Sequence, residues 1–176
     1  LPFFLQEILK YNALITGLLI LPYSLTLSIT APIAGRLSGK YGSKILTRLG
    51  PATYCIALLM FTLYDKNATM WQIILASGIM GIGNGLFQSP SNNAIMTSVD
   101  HGELGLASGI LALARNLGNI LGVAVTITLF ETFRHLFIEN GKIYETAFLY
   151  SYRTTMCFGI LFGLTCLTFA FVAYRE

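Results

Sequence analysis

The chain has 176 residues, 55% of them hydrophobic and only 11% charged, with a formal net charge of +3. A soluble domain carries about a quarter charged residues, so this is the composition of a polytopic membrane protein. The basic residues are spread along the chain and form no nucleic-acid footprint.

In chain order, the opening LPFFLQEILK has neither Met nor a charged n-region. It reads as the tail of a membrane helix over residues 1–9 rather than as a signal peptide, and so as the start of a fragment. Charge-free runs then cover residues 11–35, 49–64, 67–99 and 154–174, and residues 104–130 hold a single charge, Arg115. A bilayer core takes about 20 apolar residues in helical form. These runs predict an all-α integral membrane fold with helices at about 11–35, 45–64, 69–98, 104–131 and 150–174, plus the tail of a sixth. Short connections make sequential helices antiparallel neighbours. The segment 134–147 reads as a longer polar loop.

The dense basic segment Arg36, Lys40, Lys44 and Arg48 marks the cytoplasmic face. On that reading, loop 36–44, loop 99–103 and the C-terminus are cytoplasmic in a multi-pass protein of the cell membrane. The total tally is even: Arg175 joins that side, and Lys10, Lys66, Arg134, Lys142 and Arg153 fall on the other. The density of the short loop outweighs the tally.

Nine of the seventeen glycines lie between Gly78 and Gly122. In SGIMGIGNGLFQSPSNNA, Gly78, Gly81, Gly83 and Gly85 permit close helix approach, and Pro90 removes a backbone hydrogen bond. Asn84, Gln88 and then Ser91 or Asn92 recur at spacings of three or four, in one helical column. Amides in lipid need protein or a wet cavity to satisfy them. This column therefore reads either as the lining of a solute cavity or as interhelical hydrogen-bond glue.

In GLASGILALARNLGNILGVAV, the residues Gly105, Ser108, Gly109, Ala112, Arg115, Gly118 or Asn119, and Gly122 share one face. The pairs Gly105/Gly109 and Gly118/Gly122 have small-xxx-small spacing, which predicts a tight packing surface. Arg115 lies roughly 16 Å along the helix from Leu104. An arginine at a span centre costs about 2.5–3.5 kcal/mol on insertion scales, so it is expected at a buried interface, against backbone carbonyls, a loop acid or an acid elsewhere in a larger protein. None of the eight carboxylates lies mid-span.

Enzyme chemistry and metal binding find no support. Cys55, Cys157 and Cys166 fall in apolar runs without metal-ligand spacing, and His101 and His135 lie in predicted loops on opposite sides. No cofactor is implied.

The blocks LPFFLQEILKYNALITGLLILP, APIAGRLSGKYGSK, GIGNGLFQSPSNNAIM and GLASGILALARNLGNILGVAV resemble the C-terminal half of a major facilitator superfamily transporter, most of all the fourteen-helix drug:proton antiporter subfamily of EmrB/QacA type. The resemblance implies that the five spans are its helices ten to fourteen. GRLSGKYGSK echoes the family's cytoplasmic loop motif at Gly35, Leu37, Gly42 and Lys44, with Arg36 inside it. Gly39 stands where the first-half copy has Asp, which implies a degenerate copy of that motif. By resemblance, Asn84, Gln88 and Asn92 line the central cavity, and Arg115 with Gly105, Gly109, Gly118 and Gly122 lies at the interface between halves. The implied function is efflux of amphipathic, often cationic compounds by proton antiport, with the proton-coupling acids in the absent N-terminal half. The alternatives are a same-fold carrier of a sugar, metabolite or siderophore, and a non-transporting membrane protein.

Overall fold

The computed structural model describes residues 1–139, 141 and 143–173, and the only regular secondary structure among them is helical. Lys142 and Arg175, which enter the charge tally, lie outside the described residues, as does the C-terminus. The order is α1 (Pro2–Glu7), α2 (Ala13–Tyr41), α3 (Lys44–Leu63), α4 (Met70–Thr97), a single 3₁₀ turn (His101–Glu103), α5 (Leu104–Glu139) and α6 (Tyr144–Ala173). The five helices α2 to α6 are each long and apolar enough to cross a membrane.

Local signals set several boundaries. The Asn12 side chain accepts from the Ile15 N–H at 2.8 Å and starts α2. Gly42 ends it with φ +83°, a backbone conformation that suits glycine. At the head of α4, the Thr69 N–H donates to Gln72 Oε1 at 2.9 Å. Pro22, Pro32, Pro51 and Pro90 lie inside helices, each removing one backbone donor.

Two expected loops are largely helical. Arg36 and Lys40 belong to α2, and loop 36–44 contracts to the Gly42–Ser43 turn. At 29 residues, α2 is about 43 Å long against a hydrocarbon core of about 30 Å, so its basic end projects past the apolar layer as helix. The segment 134–147 is likewise mostly α5 and α6, and His135 falls in α5 rather than in a loop. Aromatic contacts hold that extension together: Phe133 stacks on Phe158 at 5.9 Å, and Phe137 meets Tyr150 at 5.7 Å.

Helix α4 is the central element. Paired contacts run in step along α2 and α4, from Thr26 and Gly78 to Ser38 and Asn93, so these two helices are parallel. Gly50 meets Phe87, whereas Tyr54 meets Gly83, so α3 is antiparallel to α4. A Cβ added to Gly81 would strike the Tyr23 carbonyl of α2, and one added to Gly83 would lie 2.7 Å from the Tyr54 backbone nitrogen of α3. The glycines of α4 thus let two backbones approach it at once. Thr26 Oγ1 donates across this contact to the Gly78 carbonyl at 2.9 Å.

Helix α6 packs on α3, and α5 packs chiefly on α6. Phe4, Phe61, Ile73, Phe148 and Tyr152 form a core at the end where α1 enters, with Phe4 stacked on Tyr152 at 4.6 Å. The α3–α4 connection is tied to α6 there by the Arg153–Asp65 and Lys66–Glu145 ion pairs. No residue of α5 is buried.

Candidate functional site

Because α5 leans on α6 rather than on α4, a chamber is left between α3, α4, α5 and α6. Its volume is about 690 Å³, within the range of small-molecule sites. Helix α4 contributes Met80, Asn84 and Phe87, α3 contributes Tyr54, and α6 contributes Met156, Phe158 and Phe162. Thr126 and Thr155 are further polar groups of the wall, which holds no Asp, Glu, Lys, Arg or His among the described residues.

Asn84 is the one of the three column amides that lines this chamber. Its Nδ2 donates to the Tyr23 hydroxyl at 2.6 Å. That bond ties the Asn84 amide to α2. Gln88 lies outside the lining, and Asn92 turns toward α5. Along α4 the lining continues through Phe87 and, in an adjoining space, Ser91, Ala94 and Ile95.

Arg115 donates from Nη2 to Asn92 Oδ1 at 3.0 Å, joining α5 to α4. Its partner is therefore a side-chain amide, in place of the expected carbonyls or acid, and the residue is exposed rather than buried in this chain. The reason is the setting of α5, which packs loosely on the other helices and has no buried residue on any face. A Cβ added at Gly105, Gly109, Gly118 or Gly122 would meet nothing within 4 Å. Within this chain the close glycine packing is on α4, which has helices on both sides. Gly122 does border the chamber.

In the loop motif, Gly35 packs closely on α4, where a Cβ would lie 2.7 Å from Ser89 Oγ. Arg36 is exposed one residue on, Gly42 makes the turn, and Lys44 opens α3. This is a helix contact followed by a sharp corner with basic side chains around it. Among the described residues, no group of three His, Cys, Asp or Glu side chains is placed to hold a metal.

The full chain, residues 1–176, matches the family model of the Major Facilitator Superfamily. It is 36% identical over 133 residues to the uncharacterized transporter YebQ of Escherichia coli K12, covering 76% of this chain and 29% of that protein. It is 32% identical to the multidrug resistance protein Stp of Mycobacterium tuberculosis H37Rv, over 69% of this chain and 22% of that protein. The riboflavin transporter RibZ of Clostridioides difficile 630 is 29% identical over 90% of this chain and 36% of its own length. The chain thus spans well under half of the length of these relatives.

Proposed function

Because this chain belongs to the Major Facilitator Superfamily, we propose that it forms the C-terminal half of a secondary active exporter of small amphipathic compounds. The fourteen-helix proton antiporters remain the subfamily it resembles most. The observation that carries this reading is the chamber itself: an apolar, aromatic-walled space of about 690 Å³ with one anchored amide, Asn84, in the central helix. Such a wall takes up flat or greasy solutes by area and orients them with few polar contacts. Relatives named for multidrug resistance and drug efflux support the same cargo class.

Transport proceeds by rocking of this half against an N-terminal half, with the site exposed to each side in turn. The glycines of α4 and its Pro90 supply a helix that adjusts to that motion. Protons drive export through carboxylates of the N-terminal half, a reading supported by a chamber wall with no Asp or Glu among the described residues. Arg36, Gly42 and Lys44 form a turn at the cytoplasmic end, and Arg115 with the open face of Gly105, Gly109 and Gly118 meets the other half.

A second reading keeps the fold and changes the cargo to a planar metabolite. It is favoured by RibZ, which aligns with 90% of this chain. Drug-resistance profiles and riboflavin uptake, measured on the complete protein in a transport-deficient host, separate the two. Asn84→Leu is expected to shift the order of exported compounds while expression is maintained. A resistance spectrum identical to wild type returns Asn84 to a packing role. Export that persists after the proton gradient is collapsed overturns the coupling.

A further inference from the structure

The polar groups of the chamber wall are few, and most of their hydrogens are already in use. Thr126 stands on α5 and Thr155 on α6, so they reach the chamber from two helices. The Thr126 hydroxyl donates to the Gly122 carbonyl at 2.7 Å, and the Thr155 hydroxyl to the Ser151 carbonyl at 2.8 Å. A carbonyl oxygen can only accept, so both hydroxyl hydrogens are committed to the backbone one turn earlier. What each threonine keeps for a solute is its remaining lone-pair capacity.

Asn84 follows the same pattern. One of its two N–H groups is taken by the hydroxyl of Tyr23, a residue of α2 that does not line the chamber. The hydrogens left to the polar side chains of the wall are the second N–H of Asn84, the Tyr54 hydroxyl and the weak thiol donor of Cys166. No Lys, Arg or His among the described residues adds a cation. Backbone N–H groups within the helices are spent on their own ladders. The chamber therefore presents aromatic and aliphatic surface with oxygen acceptors set into it, and few donors.

A solute that enters gives up its water. An N–H or O–H on it finds an acceptor again. A carboxylate, sulfonate or phosphate leaves its hydration behind with little to donate to it and no positive charge to offset its own. We propose that this chamber selects flat aromatic solutes that carry hydrogen-bond donors and discriminates against anionic ones, with the lone pairs of Thr126 and Thr155 as selecting groups. The inference rests on the reading of the chamber as the solute site. It narrows the cargo by hydrogen-bond polarity, which area alone does not do: apolar burial favours the more methylated of two analogues, whereas an acceptor wall favours the one that keeps its N–H.

The test measures binding to the purified complete protein by titration with three compounds of closely related ring systems. Phenanthridone is flat and neutral with one N–H, N-methylphenanthridone lacks that N–H, and phenanthridine-6-carboxylate is an anion. Phenanthridone is expected to bind about fivefold more tightly than its N-methyl analogue, the scale of one net hydrogen bond. The carboxylate is expected to bind at least about tenfold more weakly than phenanthridone. Thr126→Val and Thr155→Val keep the side-chain shape and remove the oxygen. At least one of them is expected to bring the ratio of the two neutral dissociation constants toward one, and serine at the same position to restore it. A purely structural disturbance moves both constants together and leaves their ratio alone. Equal or tighter binding of the N-methyl compound, a ratio retained in both valine variants, or a carboxylate bound as well as phenanthridone overturns the donor preference while the chamber stands as a solute site. Absence of saturable binding by either neutral compound overturns the chamber reading and the preference with it.

Discussion

Gly83→Ala tests the claim that α4 is held between two backbones. A Cβ at residue 83 would lie 2.7 Å from the Tyr54 nitrogen, 3.0 Å from the Gly50 carbonyl oxygen and 3.1 Å from the Tyr54 Cα. Ordinary contacts between such atoms are about 3.5–4.0 Å. All three obstacles are backbone atoms of α3, so no side-chain rotation relieves them, and α3 and α4 must separate by several tenths of an ångström. Overpacking of this kind costs about 1–3 kcal/mol. The better helix propensity of alanine returns about 0.5 to 1 kcal/mol, and because all three obstacles are backbone the overpacking cost lies at the upper end of its range, which leaves a net loss of about 2 kcal/mol. Gly39→Ala is the control, because its added Cβ would meet nothing within 4 Å and only the propensity gain remains. Thermal unfolding of the complete protein in detergent, followed by tryptophan fluorescence, should show a lower Tm for Gly83→Ala and an equal or higher one for Gly39→Ala. An unchanged Tm for Gly83→Ala, or an equal fall for both, would refute the packing argument.

The Arg115–Asn92 bond crosses from α5 to α4 at an exposed site, so its coupling in a double-mutant cycle should be about 1 kcal/mol, below the range for buried charged hydrogen bonds; additive losses for Arg115→Ala and Asn92→Ala would show that the two do not act together. Thr26→Val removes the hydroxyl that donates across to Gly78 and should cost on the order of 0.6 kcal/mol, as interhelical hydrogen bonds in membranes do; a loss several times larger in the same unfolding assay would mean that the hydroxyl holds more than this contact. Asp65→Asn opens the Arg153–Asp65 pair, whose side chains are 38% and 63% exposed. Its effect should stay below about 1 kcal/mol and shrink in high salt, and a large, salt-independent fall in Tm would contradict a surface role.

The spans were legible because hydrocarbon excludes charge, and charge-free runs of the right length are few. Their ends were not, because a helix that leaves the bilayer need not stop there. After Arg36 nothing breaks α2 until Gly42 turns the chain at φ +83°, and the polar look of the intervening residues records water rather than a loop. The site was half legible for a geometric reason. Each residue of an α-helix turns by about 100°. Steps of four from Asn84 to Gln88 to Asn92 therefore drift by about 80°, out of the chamber and toward α5. The path 84, 87, 91 ends within about 20° of its start, and all three of these residues line the cleft. Phe87 was passed over because an aromatic side chain in an apolar helix carries no polar signal.

Arg115 shows how a length sets the cost of a charge. Helix α5 has 36 residues, about 54 Å, and so exceeds the hydrocarbon core by about 24 Å. The Glu131–Arg134 ion pair, 2.6 Å between its closest atoms, suits the surface at the far end. With that pair at one boundary, Arg115 is sixteen residues from Glu131, or about 24 Å. It then stands about 6 Å short of the other boundary, a depth that the arginine side chain covers by reaching along the helix. Asn92 belongs to the last turns of α4 and meets it at that level with an amide oxygen. The arginine is thus held near an interface by a neutral acceptor, which needs no buried carboxylate and leaves the guanidinium exposed on the open face of α5.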